Sequence, residues 1–422
     1  MEIHNPEDLD LFKQKALQWA ASFETACYFD SNDYTDPYSA FDVLIAAGTN
    51  LELKKNSGSA FTHLAHLLNN NKDWVLGFLG YDLKNETENL TSSNPDHLHF
   101  PELYFFKPLH LILIKQGKVQ ILSAEKDRIC EQIEQTELDN LNFSFKGNIE
   151  SRFSPSEYRD TVSRLKDHIR RGDIYEANFC QEFYSENCHL EPLNAFHALN
   201  TISPTPFATF FKYKSSYIIS ATPERFLTKR GGKLISQPIK GTIKRSTDPA
   251  EDELLKQSLK NNSKEQAENV MIVDLVRNDL TKCAVPGSVE VEELFGIYSF
   301  EQVHQMISTV VCKVNPGLNN SEIIKSVFPM GSMTGAPKIS AMELIEKYER
   351  TKRGVFSGAI GYFAPNGDFD FNVVIRTILY NAEKKYLSFQ VGSAITFASD
   401  PENEYDECLV KAAAIRSVLL NN

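Results

Sequence analysis

Apolar and polar positions alternate along this chain in two periods, one helical and one extended. Ser154-Pro155-Ser156-Glu157 is a capping box with proline in the first turn. Tyr158, Val162, Leu165 and Ile169 follow as one apolar stripe, and Gly172 closes the helix. A second capping box, Ser263 to Gln266, opens a helix expected to run to about Leu280. A third helix begins at Ser399-Asp400-Pro401-Glu402 and is expected to turn Leu409, Ala412, Ala413 and Ile415 inward. A fourth runs from Pro337 to about Lys347, after the small-residue turn Ser332 to Ala336. Extended runs include Leu109 to Ile114, Lys118 to Leu122, Ser216 to Ile219, Lys233 to Ile239, Asp370 to Tyr380 and Tyr386 to Val391. The last two flank Asn381 to Lys385 and read as a hairpin.

Helices and strands are interspersed without a βαβ rhythm, which predicts an α+β fold: a large β-sandwich core with surrounding helices. The segment 139–156 is rich in Asn, Ser, Gly and Pro and marks a boundary. Residues 1–145 are expected to add strands to the same body, and residues 150–422 to form the domain that carries the chemistry.

Composition narrows the function classes. The 422 residues are 42% hydrophobic and 24% charged, as in ordinary globular proteins. A net charge of -12 with scattered Lys and Arg argues against a nucleic-acid partner. No run approaches the roughly 20 apolar residues of a membrane span, and the acidic start Met1 to Asp8 does not read as a signal peptide. Seven scattered cysteines without a C-x-x-C pair suit a reducing compartment, so the expected location is the cytoplasm. None of them sits in a Gly-x-Cys-x-Gly elbow, so the chain is not expected to release ammonia from glutamine itself. His63 with His66, and His97 with His99, lack a third ligand nearby and are not read as metal sites.

Three constellations carry candidate chemistry. Glu265 and Glu268 are three apart early in one helix, and Glu404 and Glu407 repeat that spacing in another. Acids in a first turn are favoured by the helix dipole in any case. Facing one another, the two pairs would instead share a hard cation such as Mg²⁺, which takes one or two protein carboxylates and leaves room for substrate and water. Next, Thr334-Gly335-Ala336-Pro337-Lys338 runs into a helix start, where backbone N–H groups favour anions, and Arg376 in an apolar run either faces solvent or opposes such an anion. Last, Gln237-Pro238-Ile239-Lys240-Gly241-Thr242 ends a strand in a sharp turn. Lys240 is either solvated, as most lysines are, or an amine desolvated enough to be partly neutral and nucleophilic.

Taken together, residues 150 to 420 resemble the chorismate-utilising enzymes: anthranilate, aminodeoxychorismate, isochorismate and salicylate synthases. The resemblance rests on Gly172 to Tyr175, Pro223 to Phe226, Pro238 to Thr242, Lys264 to Asn269, Val273 to Leu280, His304, Thr334 to Lys338, Ile375-Arg376 and Glu404 to Glu407. More loosely, Gly80 to Glu86 resembles the aminodeoxychorismate branch. The resemblance implies Mg²⁺ on Glu268 and Glu407, with Glu404 and Glu265 as supporting carboxylates and Glu265 counted with the catalytic groups. It implies chorismate carboxylates held by Arg376, Thr334 and Lys411, further substrate contacts from Thr242 and Gly335, and His304 along the ring. Ala394 stands where anthranilate synthases often have glycine, which leaves a backbone contact but adds crowding.

Lys240 in Pro-Ile-Lys-Gly-Thr is similar to the aminodeoxychorismate branch, whereas anthranilate synthases typically carry alanine there. The expected reaction is amination of chorismate to 4-amino-4-deoxychorismate, Mg²⁺-dependent, through a lysine nucleophile, with ammonia from a separate glutamine amidotransferase subunit. Anthranilate synthase, an isochorismate or salicylate synthase, and a non-catalytic chorismate or amino-acid sensor are the alternatives. Phe29 to Asn32 does not match the Leu-Leu-Glu-Ser motif of feedback-sensitive relatives.

Overall fold

A computed structural model describes residues 6–139 and 144–420. Met1 to Asn5, four residues of the boundary segment, 140–143, and residues 421–422 lie outside the described residues.

All strand pairings between named strands are antiparallel, and they join into one continuous sheet folded on itself. Two long strands, Val43–Lys55 and Leu103–Lys115, pair along most of their length and link the halves. From Leu103–Lys115 one half runs through Val75–Leu79, Ala359–Phe363, Phe369–Val373, Arg225–Arg230 and Lys233–Gln237 to Val303–Lys313. From Val43–Lys55 the other runs through Thr25–Asp30, Phe207–Tyr213, Ser216–Thr222, Thr377–Asn381 and Tyr386–Ile395 to Glu176–Ser185. Thus strands before residue 140 pair directly with strands after it.

The halves face each other as a sandwich. Phe78 from one and Phe211 from the other meet edge-to-face at 5.5 Å between ring centroids, the arrangement that aromatic quadrupoles favour. Helices Ser263–Thr281 and Asn320–Val327 add Ile272, Val276, Ile323 and Ile324 to this core. A second core, on the outer face of the other half, takes side chains from Leu9–Ala21, Pro155–Arg171, Pro192–Ile202 and Pro401–Leu420. The α+β sandwich with surrounding helices stands.

Local expectations meet the structure unevenly. The Ser154 capping box forms, and Gly172 ends that helix at φ 84°, where a side chain would be strained. The 381–385 hairpin also forms. The second helix is capped one residue earlier than expected, by Asn262, whose side chain accepts from the N–H groups of Lys264 and Glu265. In the last helix Ala413 faces outward, and Cys408 with Ala412 and Ile415 forms the inward stripe.

The largest correction concerns Asp370 to Tyr380, which is two strands. Phe369–Val373 belongs to one half of the sandwich and Thr377–Asn381 to the other, so the chain crosses between halves at 374–376. Arg376 sits in that crossing with φ 52° and lies in no strand. The chain crosses again between Ser216–Thr222 and Arg225–Arg230, at Pro223-Glu224. The crossings are stitched by Val373 N–H to Glu224 O (3.0 Å) and Ala221 N–H to Arg376 O (3.1 Å). Pro238 likewise divides Lys233 to Ile239 into two strands, because it has no N–H for the ladder.

Candidate active site

The seam between the two halves collects the chemistry. Strand Glu176–Ser185 presents Glu176, and strand Ile239–Lys244 presents Lys240. Lys240 Nζ donates to Glu176 Oε1 at 2.8 Å. Their side chains are 11% and 1% exposed, so the pair is shielded from water. Helix Ser263–Thr281 brings Glu265 and Glu268 to the same place, and helix Pro401–Leu420 brings Glu407. Gly241, at φ 96°, lets the backbone beside Lys240 pass close to Glu265; a Cβ there would lie 3.1 Å from Glu265 Oε2. Asn269 fastens the helix to this turn, donating to Lys240 O at 3.4 Å while accepting from Ser308 Oγ at 2.6 Å.

Charge in the cluster is unevenly balanced. Burial alone would push the Lys240 ammonium down, but Glu176, Glu268 and Glu407 hold it above the ordinary lysine value. The expectation of a partly neutral Lys240 is therefore corrected: the neighbouring carboxylates outweigh desolvation and the amine rests charged. Burial lifts Glu268 to about 7, with Glu265 adding like-charge repulsion against the pull of Lys240 and Lys264. Glu265 is raised for the same first reason, burial. Glu407 is also desolvated, yet its ion pair with Lys411 (2.5 Å) brings it below the usual carboxylate range.

At the crossings, Arg376 and Glu224 complete the seam. Burial lowers the Arg376 guanidinium from its ordinary value, opposed by Glu407 and Glu224. Among the described residues it makes one long hydrogen bond, 3.5 Å to Lys411 O, so most of its five donors are unspent. Glu224 is buried and lifted to about 7 by desolvation, against the pull of Ser332, Lys240 and Arg376. A guanidinium with spare donors beside a cationic amine is an arrangement for binding carboxylates.

The expected residues thus fall into two groups. Lys240, Glu265, Glu268, Glu407, Lys411 and Arg376 come together. Thr334 borders the group through its backbone, because Thr334 O accepts from Asn178 N–H (2.7 Å) and Gly335 and Ala336 pair with Ala177 and Glu176. Its hydroxyl, however, donates inward to Gly331 O at 3.1 Å, so it is committed to holding the turn. Lys338 of the same motif is pinned to Asp279 at 2.9 Å. Ala394 pairs with Asn178 in the neighbouring strand, and Lys411 Nζ donates to Gly392 O at 2.9 Å. Thr242 is exposed at its strand. Both ring nitrogens of His304 are engaged, Nδ1 with Ser299 Oγ (2.8 Å) and Nε2 with Asp252 Oδ1 (3.0 Å), so this ring fastens helix Pro249–Asn261 to the sheet. Glu404 is buried one turn before Glu407, with Oε2 unpaired among the described residues and Cys408 beside it. Glu176 and Glu224 were not singled out from the sequence, although both lie at or beside the quoted segments Gly172 to Tyr175 and Pro223 to Phe226.

Gly335 is the tightest point of the site. A Cβ on it would lie 2.1 Å from Glu176 O and 2.8 Å from Ala341 Cβ. Gly335→Ala is therefore expected to push this turn off the Glu176 strand, lowering stability by about 2 kcal/mol or more and reducing activity with it. Urea denaturation measures this; a wild-type midpoint would show that the strands do not approach so closely.

Among the described residues, no three His, Cys, Asp or Glu side chains converge to hold a metal unaided. The donors around Lys240 are nonetheless oxygens in excess of positive charge. Glu268 is raised first by burial and then by the like charge of Glu265. Such a set suits a hard dication that shares its coordination with substrate and water.

Fold and site together define a chorismate-utilising enzyme: the chain belongs to the chorismate binding enzyme family, whose model matches residues 11–417. It is 34% identical over 351 residues to the anthranilate synthase component I-like protein of Synechocystis, covering 82% of this chain and 72% of that one. It is 33% identical over 362 residues to aminodeoxychorismate synthase component 1 of Bacillus subtilis, covering 82% and 76%. Among solved structures it resembles anthranilate synthase component I from Streptococcus pneumoniae, with a TM-score of 0.79, 25% identity, and coverage of 91% and 93%. No helix among the described residues is long and apolar enough to cross a membrane.

Proposed function

We propose that this chain aminates chorismate at C4, giving 4-amino-4-deoxychorismate on the way to p-aminobenzoate and folate. The observation that carries this reading is the buried amine of Lys240, held at 2.8 Å by Glu176 within the carboxylate cluster. An amine in that place is what separates substitution at C4 from direct attack at C2. Aminodeoxychorismate synthase component 1 of Bacillus subtilis is a relative over most of the chain, which supports the same branch.

In the first step the Nζ lone pair of Lys240 bonds to C2, the two ring double bonds shift, and the C4 hydroxyl departs. Glu224, buried beside Lys240 and Arg376 and titrating near 7, is the acid that gives the leaving oxygen its proton. In the second step ammonia bonds to C4, the double bonds shift back, and the C2–Nζ bond breaks with its electrons returning to Lys240. Two displacements return the nitrogen to the carbon that lost oxygen. Arg376, with unspent donors, orients a substrate carboxylate. Glu268 and Glu407 would hold Mg²⁺, with Glu265 alongside; when bound, the ion supplies Lewis-acid withdrawal of electrons through the ring carboxylate. The closed setting of Lys240 keeps out water, which competes as a nucleophile.

Ammonia comes from a glutamine amidotransferase partner. Six of the seven cysteines are buried and Cys130 is half-buried, and none sits in a Gly-x-Cys-x-Gly elbow. Cysteine usage also supports a cytoplasmic enzyme.

The deciding experiment is mass and chromatographic analysis of the product from chorismate, Mg²⁺ and an ammonium salt. The para-amino product, formed only with ammonia, is expected. Anthranilate would assign the chain to the branch named in its Synechocystis relative. Isochorismate or salicylate, formed without ammonia, would move it to a water-using or lyase branch.

A further inference from the structure

The Lys240 amine rests charged, yet a nucleophile must carry a free lone pair, so something in the site has to take its proton and later return it. Four carboxylates besides Glu176 act on Lys240: Glu268, Glu407, Glu265 and Glu224. Only Glu176 makes a hydrogen bond to it among the described residues.

Glu176 sits in a strand of the sheet. Its strand is gripped on both sides, by Tyr386–Ile395 through Ala177 opposite Ile395, and by Gly335-Ala336 through Ala336 opposite Glu176. Tyr175 N–H donates to Ala336 O at 2.6 Å, directly before it. Its two oxygens are used unequally. Oε1 accepts from Lys240, whereas Oε2 is buried and has no hydrogen-bond partner among the described residues. A buried carboxylate oxygen without a donor is costly, and it persists in a native structure where a proton or ligand completes it.

We propose that Glu176 is the positioning residue of Lys240 and its proton-exchange partner. It takes the ammonium proton as the amine bonds to C2 and gives it back when that bond breaks. The spare oxygen lets the carboxylate store the proton on Oε2 while Oε1 keeps its contact with Nζ. Lys240–NH₃⁺ and the Glu176 carboxylate become the secondary ammonium Lys240–NH₂⁺–C2 and the carboxylic acid, while the C4 hydroxyl leaves as water with the Glu224 proton, so the Glu224 carboxylate carries the balancing charge. Ammonia then displaces the amine, the bonding electrons return to Nζ, the stored proton restores the ammonium, and the new C4–NH₃⁺ group gives one proton to the Glu224 carboxylate. No oxidant or outside base is needed.

The inference rests on the lysine chemistry proposed above, and the test separates the two. Glu176→Gln keeps the shape and one acceptor but cannot take the proton. With chorismate, Mg²⁺ and saturating ammonia, its kcat near pH 7 is expected to fall on the order of 10²-fold, with the KM for chorismate nearly unchanged. Its rate should then climb about tenfold per pH unit towards the alkaline side, because the free-amine fraction of Lys240 becomes limiting. The wild type should show no such climb. Glu176→Asp, which retains a base one methylene away, should recover part of the loss and flatten the profile. A Glu176→Gln enzyme whose pH profile runs parallel to wild type, or whose kcat is unchanged, overturns the proposal. Should Glu176→Gln not fold, the Glu176→Asp profile decides alone: a reduced kcat that recovers towards alkaline pH where the wild type is flat would support, while a profile parallel to wild type would overturn. If wild type itself makes no 4-amino product, the functional reading has failed first; if it does and Glu176→Gln is indifferent, only this inference falls.

Discussion

Lys240→Ala is expected to lose amination at C4 by three orders of magnitude or more, about 4 kcal/mol in the barrier, while still binding chorismate. The reason is that the other amines near the cluster among the described residues are placed differently: Lys411 is committed to Glu407 and Gly392 O, and Lys264, beside Glu268, is exposed. Truncation also strands Glu176 as a buried carboxylate, so Lys240→Ala should melt earlier than wild type. Lys240→Arg removes that ambiguity, because it keeps a cation for Glu176 but offers no nucleophilic amine at neutral pH. It should remain folded and inactive. Product formation with saturating ammonia, alongside chorismate binding by fluorescence or calorimetry, measures both effects. An undiminished rate in either variant would refute the covalent role.

Glu268→Gln should abolish the magnesium requirement together with activity, yet stabilise the metal-free protein above pH 7. Glu268 is raised from 4.5 to about 7 in the folded chain, chiefly by burial. A carboxylate raised on folding costs stability as pH climbs from its unfolded value through its folded one, and the cost is complete above about 7. That gap corresponds to roughly 3 kcal/mol, which glutamine would recover. Glu407 has the opposite sign, because Lys411 holds it below its usual range. Its charge stabilises the fold above the ordinary carboxylate range and ceases to do so in acid, so Glu407→Gln should lose activity and stability together. Thermal melts at pH 5 and pH 8 in a chelator, paired with metal-dependent assays, read both. Retention of metal-dependent turnover by either variant contradicts the ligand assignment. Earlier melting of Glu268→Gln at pH 8 contradicts the electrostatic account.

Local patterns were legible where a single element decides the outcome. The capping box at Ser154, the stop at Gly172 and the hairpin at 381–385 follow from nearest-neighbour geometry, and all three form. The cap of the next helix moved by one residue because Asn262 reaches two N–H groups. The run from Asp370 to Tyr380 misled because its apolar residues are buried on both sides of the crossing. Hydrophobicity cannot mark where a chain changes sheets. His304 carried a motif match but no hint that Asp252 and Ser299 would occupy both nitrogens.

The amino-acid sequence by itself determined the sandwich class, the family and most of the side chains that meet at the seam. Their types and local spacing are properties of the chain, and they survive any arrangement of its elements. Only the tertiary structure decided the charge state of Lys240 and the importance of Glu176 and Glu224. Those depend on distances between strands and helices far apart in sequence, and on how much water their packing removes. Coulomb energies and desolvation are set by that packing, so a lysine that the sequence leaves open between a solvated and a desolvated, partly neutral amine is an ammonium among its carboxylates.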